Sequence, residues 1–202
     1  SSKIKLLYDP VINVKEINKK KQDDIDIKNF YLSVGRLTKQ KNFMFLCEAF
    51  KKLVKQNDKI KLLIAGNGEE ENNIERFIKK NNLQKNIILL GYVDNIYPYF
   101  KSANGFILSS LWEDPGFVLI EAGYSNTTLI SSDCENGPKE ILDKNKNVFL
   151  FKSNNHSSFL EVFESFQKTD TKEINIKKIS AKKMSRKFSL FSHYCELNKI
   201  LN

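Results

Sequence analysis

The sequence predicts an α/β chain: a doubly wound parallel sheet with additional carboxy-terminal helices. Three observations predict it. Six short apolar runs rich in aromatic and β-branched residues recur along the 202 residues, segments with helical apolar spacing lie between them, and turn residues close most of the runs. Strands that read as continuous apolar stretches are those covered on both faces, as in parallel sheets flanked by helices.

The elements follow in order. Residues 1–28 read as an extended approach near "LLYDPVI" and then a charged linker or loop around "INKKKQDDIDIK". "NFYLSV" (29–34) is a strand ended by Gly35, and Phe43, Leu46, Cys47, Phe50, Leu53 and Val54 form the inward stripe of an amphipathic helix. "KIKLLIAG" (59–66) is a strand, about 70–82 a helix with Ile74, Phe77 and Ile78 inward, and "NIILLGYV" (86–93) a third strand. A short helical piece around 96–102 leads to the strand "GFILSS" (105–110), a helix at 116–124 and the strand "TTLISSD" (127–133). A short helix near 137–142 precedes the last strand, "NVFLF" (147–151), and two helices at about 156–168 and 178–200 close the chain. The expected organisation is a linker at 1–28, the sheet domain at 29–170 and a basic helical segment at 171–202.

Composition narrows the function classes. Apolar content of 41% and charged content of 28% fit a globular chain, and no run reaches the roughly 18 to 20 apolar residues of a membrane-spanning helix. The start lacks a charged head followed by an apolar stretch, so no signal peptide is expected in it, and it reads as cut from something longer. Cys47, Cys134 and Cys195 are widely spaced and read as reduced thiols, while His156 and His193 lack ligand-spaced companions, so no metal site is expected. Of the net charge of +9, residues 171–202 contribute +6, with eight basic residues against Glu173 and Glu196. Such a segment is either a solvated helix face or a charge contact for anionic lipid or, as a weaker reading, nucleic acid, and these alternatives stay open. No strip of aromatic and basic residues suited to stacking bases is present, so a nucleic-acid partner is not expected.

Ligands of doubly wound sheets bind beyond the carboxyl ends of the strands, so the chemistry is sought there. After the first strand, "GRLTKQKN" sets Gly35, Arg36 and Lys41 in one loop, where two cations beside a helix start suit a phosphate or diphosphate. Taken alone, solvated loop lysines explain it as well. After the second strand, "AGNGEEE" lacks the third glycine of a dinucleotide fingerprint, and its glutamates would repel a pyrophosphate, so it reads first as a turn and helix cap, and its glycines could also line a cleft. After the fourth strand, in "SSLWEDPGFVLIEAGY", Pro115 suits the first turn of a helix and the N–H groups of Gly116, Phe117 and Val118 are free to hold a phosphate. Glu113 then lies before that helix and Glu121 inside it, among apolar neighbours, where an unpartnered carboxylate would be costly.

These stretches, together with "IAGNGEEENNI" and "LLGYVDNIYPYF", resemble the donor-binding domain of retaining glycosyltransferases of the GT-B fold, glycosyltransferase family 4, over about residues 29–151. The resemblance implies a Rossmann-like sheet, the carboxy-terminal half of a GT-B fold. By it, Arg36 and Lys41 would bind and stabilise the departing diphosphate of a nucleotide-sugar, Glu113 would contact the sugar hydroxyls and Glu121 the ribose. Gly35 belongs to the same diphosphate loop, the N–H groups of Gly116, Phe117 and Val118 would hold phosphate oxygens, and the backbone near Tyr92 and Val93 would meet the base. Preorganised cations and N–H groups stabilise a leaving diphosphate, so no divalent metal and no cofactor beyond the nucleotide-sugar substrate is required.

Many family members carry phenylalanine where this chain has Pro115, and their following glycine-rich loop is here Asn136-Gly137-Pro138. Both variants resemble those of bacterial enzymes that build surface polysaccharide or lipid-linked oligosaccharide. The implied donor is a UDP-sugar carrying a hexose or N-acetylhexosamine. The implied acceptor, a glycan or lipid-linked saccharide, would be held by an amino-terminal domain missing from this chain, which would be inactive alone. The implied location is cytoplasmic, with room for peripheral attachment to the inner face of the plasma membrane. Two alternatives remain: a non-catalytic nucleotide-sugar-binding module, and a glycoside hydrolase using Glu113 and Glu121, which leaves Arg36 and Lys41 unexplained.

Overall fold

The structure is a computed structural model and describes residues 4–5, 7–142 and 146–201. Six strands, β1 (Tyr31–Val34), β2 (Leu62–Ala65), β3 (Ile87–Gly91), β4 (Gly105–Leu108), β5 (Leu129–Ser132) and β6 (Phe149–Phe151), form one sheet in the order β3-β2-β1-β4-β5-β6. Every neighbouring pair is parallel. Each strand lies inside one of the predicted runs. Helix α1 (Val14–Lys20) precedes the sheet. Between the strands run α2 (Phe43–Gln56), α3 (Glu71–Lys80), α4 (Tyr97–Ser102), α5 (Phe117–Tyr124) and α6 (Pro138–Ile141), and after them α7 (His156–Lys168), α8 (Thr171–Arg186) and α9 (Leu190–Leu201).

Successive side chains of a strand point to opposite faces, and this alternation divides the core in two. Tyr31, Leu62, Ile64, Ile107 and Ile130 enter one cluster with Phe50 of α2, Ile74 of α3, and Phe159 and Phe163 of α7. Leu32, Leu63, Phe106, Leu108 and Leu129 enter the other with Phe100 of α4, Leu119 and Ile120 of α5, and Ala181 and Met184 of α8. Helices therefore cover both faces, which is why the strands tolerate no polar alternation. Truncating Phe159 to alanine, in the middle of the first cluster and fully buried, would cost about 3–5 kcal/mol through lost transfer energy and the void left behind.

From β1 the chain winds outward through β2 to β3, then crosses back to β4 on the other side of β1. The strand order reverses between β1 and β4. A crevice opens beyond their carboxyl ends, as at the switch point of other doubly wound sheets.

Two predicted elements need correction. The charged linker contains a helix, α1, whose cap Asn13 accepts a hydrogen bond from the Glu16 N–H, whose Ile17 is buried, and whose Glu16 and Lys20 pair at 2.7 Å. The single helix expected at 178–200 is two. At the break, the Phe188 carbonyl accepts from the Val11 and Ile12 N–H groups, and the Leu190 N–H donates to the Ile12 carbonyl. Backbone groups that would have continued the helix are committed to the segment before α1 instead, so the helix ends. Helix α8 in turn starts earlier than expected, at Thr171, because Asp170 caps it by accepting from the Lys172 and Glu173 N–H groups. Of the extended approach "LLYDPVI", Leu6 lies outside the described residues.

Candidate functional site

Three strand-end loops meet at the crevice, and backbone contacts hold them together. The loop after β1 carries Arg36 and a 3-10 turn, Lys39–Lys41. It is joined to the loop after β4 by Leu111 N–H donating to the Gln40 carbonyl (2.8 Å), Gln40 Nε2 donating to the Trp112 carbonyl (2.9 Å) and Ser109 Oγ donating to the Lys41 carbonyl (2.9 Å). On the other side it meets the loop after β2: Leu37 N–H donates to the Asn67 carbonyl at 2.9 Å and Glu70 N–H to the Leu37 carbonyl at 2.8 Å.

That second contact explains "AGNG". A Cβ at Gly66, where φ is +135°, would lie 2.0 Å from the Gly35 carbonyl oxygen, and one at Gly68 would lie 2.4 Å from that of Leu37. The glycines permit two backbones to touch. The stretch also supplies the expected helix cap, Glu70 being the N-cap of α3.

Lys41 and Glu113, expected as separate ligand contacts, are partners. Lys41 Nζ lies 2.7 Å from both Glu113 carboxylate oxygens, and Ser110 Oγ donates to one of them. Glu113 is 2% exposed, so the pair satisfies a charge that would be costly alone. Arg36 differs. It is exposed, and its guanidinium has no protein partner among the described residues.

Helix α5 starts at Phe117, one residue later than expected. Gly116 is its cap in the left-handed conformation (φ 85°, ψ 43°), and Pro115 stands outside the first turn, because a left-handed residue between them interrupts the helical path. The first hydrogen bond of this helix runs from the Leu119 N–H to the Gly116 carbonyl at 3.0 Å, so the N–H groups of Gly116, Phe117 and Val118 precede the ladder. The Asn136-Gly137-Pro138 loop supports the cap from behind: a Cβ at Gly137 would lie 2.1 Å from the Pro115 carbonyl oxygen.

Glu121 lies inside α5 and accepts a hydrogen bond from the Tyr97 hydroxyl at 3.0 Å. Burial pushes its carboxyl above the ordinary range, opposed by that hydrogen bond and by the charge of Lys20. Burial and the Glu121 charge push the Tyr97 phenol up as well. Sequence reasoning missed Tyr97 and Ser110. Ser110 stands three residues before Glu113, a spacing that can close a turn, whereas nothing in "NIYPYF" marks Tyr97 as the partner of a glutamate in another helix.

Two adjoining pockets, each of about 320 Å³, occupy the crevice and share Val34, Gly35 and Arg36 as a common wall. The first is lined mainly by apolar groups and backbone, including Ala65, Gly66, Tyr92, Val93 and Ile96. The second holds Lys41, Glu113, Gly116, Phe117, Val118 and Glu121. All ten residues singled out in the sequence line one pocket or the other. Chemically, the first offers a slot for a flat, largely apolar group, and the second cations, carboxylates and free N–H groups.

The family described as glycosyl transferases group 1 matches residues 14–184. The chain belongs to that family. Among curated relatives, a Methanocaldococcus jannaschii protein named as an uncharacterized glycosyltransferase is 42% identical over 118 residues, which is 58% of this chain and 29% of that protein. The Campylobacter jejuni N-acetylgalactosamine-N,N'-diacetylbacillosaminyl-diphospho-undecaprenol 4-alpha-N-acetylgalactosaminyltransferase is 30% identical over 169 residues, 83% of this chain and 45% of the enzyme. This chain thus spans less than half the length of either relative. Among solved structures, Anabaena HepE in complex with UDP and glucose superposes with a TM-score of 0.76 at 18% identity, covering 94% of this chain and 52% of HepE. At that identity the likeness establishes the fold, a Rossmann-like domain of the kind found in GT-B glycosyltransferases.

Proposed function

We propose that this chain is the nucleotide-sugar-binding half of a retaining, family 4 glycosyltransferase. The observation that carries the reading is the pair of adjoining pockets divided by the Val34–Arg36 wall. A nucleoside diphosphate has the matching layout, with a flat base at one end and phosphates at the other. In this reading the base lies against Tyr92 and Val93, and the ribose hydroxyls reach Glu121, which exchanges its Tyr97 contact for them. The diphosphate lies over Arg36 and the N–H groups of Gly116 to Val118, and the sugar faces the Lys41–Glu113 pair. Departure of the diphosphate accumulates negative charge, which Arg36 and the helix start are preorganised to receive without a divalent metal.

The proposed donor is a UDP-sugar carrying a hexose or N-acetylhexosamine, and the acceptor a polysaccharide or lipid-linked saccharide. The names of relatives support this class: one acts on a diphospho-undecaprenol-linked saccharide, and another is an Escherichia coli UDP-Gal:alpha-D-GlcNAc-diphosphoundecaprenol alpha-1,3-galactosyltransferase, 31% identical over 150 residues. The acceptor belongs to a partner domain of the parent enzyme, so this chain binds donor and transfers nothing by itself.

Calorimetric titration of the purified chain with UDP, ADP, GDP, their sugars and inorganic pyrophosphate tests the reading. UDP and UDP-sugars are expected to bind best, and pyrophosphate more weakly than any of the nucleotides. Absence of nucleotide binding, or glycosylation of an acceptor by this chain unaided, would overturn it.

A further inference from the structure

Helix α8 turns one stripe to solvent. Lys172, Ile176, Ile179, Lys183 and Arg186 follow one another at spacings of four, three, four and three residues, which places them on one face of a helix. The opposite face, with Ala181, Met184 and Ser185, is buried. Ile176 is 57% and Ile179 53% exposed. The stripe holds no carboxylate. Glu173 stands on the flank, where it faces Lys177 at 3.6 Å. Lys187, also exposed, stands at the C-cap of the helix.

A solvated helix face intersperses both signs of charge and keeps branched apolar residues off the surface. This stripe does neither. Cations of one sign flanking exposed isoleucines are the pattern of a helix lying in a bilayer interface, where the apolar groups enter the acyl boundary and the cations stay among anionic headgroups. Among the described residues no helix is long and apolar enough to cross a membrane, so a contact of this kind lies on the surface. Nucleic acid would use the same cations but would gain nothing from Ile176 and Ile179. We propose that the outward face of α8, with Lys187 at its end, docks on an anionic membrane surface.

Co-sedimentation of the chain with phosphatidylcholine vesicles, with and without phosphatidylglycerol, tests this. Binding is expected only to the anionic vesicles, with Lys183→Ala and Arg186→Ala each lowering the partition coefficient about fivefold. The double variant Ile176→Ser/Ile179→Ser keeps every charge, and its binding is expected to survive in low salt but to be lost near physiological ionic strength. All four substitutions are at exposed positions, and unchanged thermal unfolding confirms that the variants fold. The proposal fails if anionic vesicles do not retain the wild-type chain, or if the isoleucine double variant binds as the wild type does. Two further outcomes reassign the face and overturn it: duplex RNA displaces the vesicles while the double variant keeps full RNA affinity, or the chain dimerises in sedimentation velocity and the double variant does not. None of these outcomes depends on nucleotide binding, so this proposal and the donor-site reading stand or fall separately.

Discussion

Lys41 and Glu113 are 72 residues apart in the chain and meet with Lys41 Nζ 2.7 Å from both carboxylate oxygens, one partner 16% and the other 2% exposed. The loops after β1 and β4 are fastened by a charge pair at the wall of the crevice. A pair so placed is an organiser first, and it gives the two cations of the first loop different roles.

Replacing Lys41 by methionine leaves the Glu113 charge buried with Ser110 as its one side-chain partner among the described residues. Breaking a buried pair from one side is strongly destabilising, so Lys41→Met is expected to cost about 3 kcal/mol in urea unfolding. The double variant Lys41→Met/Glu113→Gln should recover most of that. If the two single substitutions simply add, the ion pair carries no coupling.

Arg36 has no such structural duty. Arg36→Ala is expected to leave unfolding within about 0.5 kcal/mol of the wild type, as for surface substitutions, and to weaken UDP by about 1.5–3 kcal/mol, the range for hydrogen bonds to charged groups. Calorimetry and unfolding on the same preparation separate the two effects. Unchanged UDP affinity would remove Arg36 from the diphosphate site.

Glu121 is held at a cost to the fold that grows with pH. Burial raises its folded carboxyl above 4.5, so the folded state favours the protonated form. The stability this group contributes is complete below about pH 4.5 and is lost as pH rises through the folded value. Glu121→Gln is neutral throughout, so it should gain stability over the wild type at pH 7 relative to pH 4, read from melting temperatures, while losing UDP affinity if the carboxylate meets the ribose. An equal difference at both pH values would show that the raised carboxyl is not what costs stability.

Gly66→Ala sets a methyl group 2.0 Å from the Gly35 carbonyl in a left-handed backbone. The loops after β1 and β2 must part, at about 2 kcal/mol or more for such a strained position. Because Gly35 and Gly66 both line the apolar pocket, affinity for the base should fall with stability. Loss of stability with full UDP affinity would place the base elsewhere.

The sheet was legible because its signal is local. Each strand is a run of apolar residues, and the alternation of Leu32, Leu62, Leu63 and Ile64 between the two faces needs no knowledge of distant partners. The positions of Arg36, Glu113 and Glu121 after strand ends were legible for the same reason, through the general rule for doubly wound sheets. Their partners were not. The Lys41–Glu113 and Tyr97–Glu121 contacts join separate elements, and the clasp of Ile12 on Phe188 and Leu190 that divides the last helix spans most of the chain. Helix α1 is a different case. Asn13 followed three residues later by Glu16 is a start signal that the surrounding lysines obscured.

The closed Lys41–Glu113 pair also determines how an anion is attracted. The charged residues lining the second pocket are Arg36 and Lys41 against Glu113, Asp114 and Glu121, two positive and three negative, a sum of −1. The chain's net charge of +9 therefore arises away from this pocket. A phosphate in the pocket is therefore not held by an excess of local positive charge, and retention depends on contacts within hydrogen-bonding distance. UDP affinity should then depend on salt less steeply than vesicle binding by α8, whose outward cations stand together in one stripe.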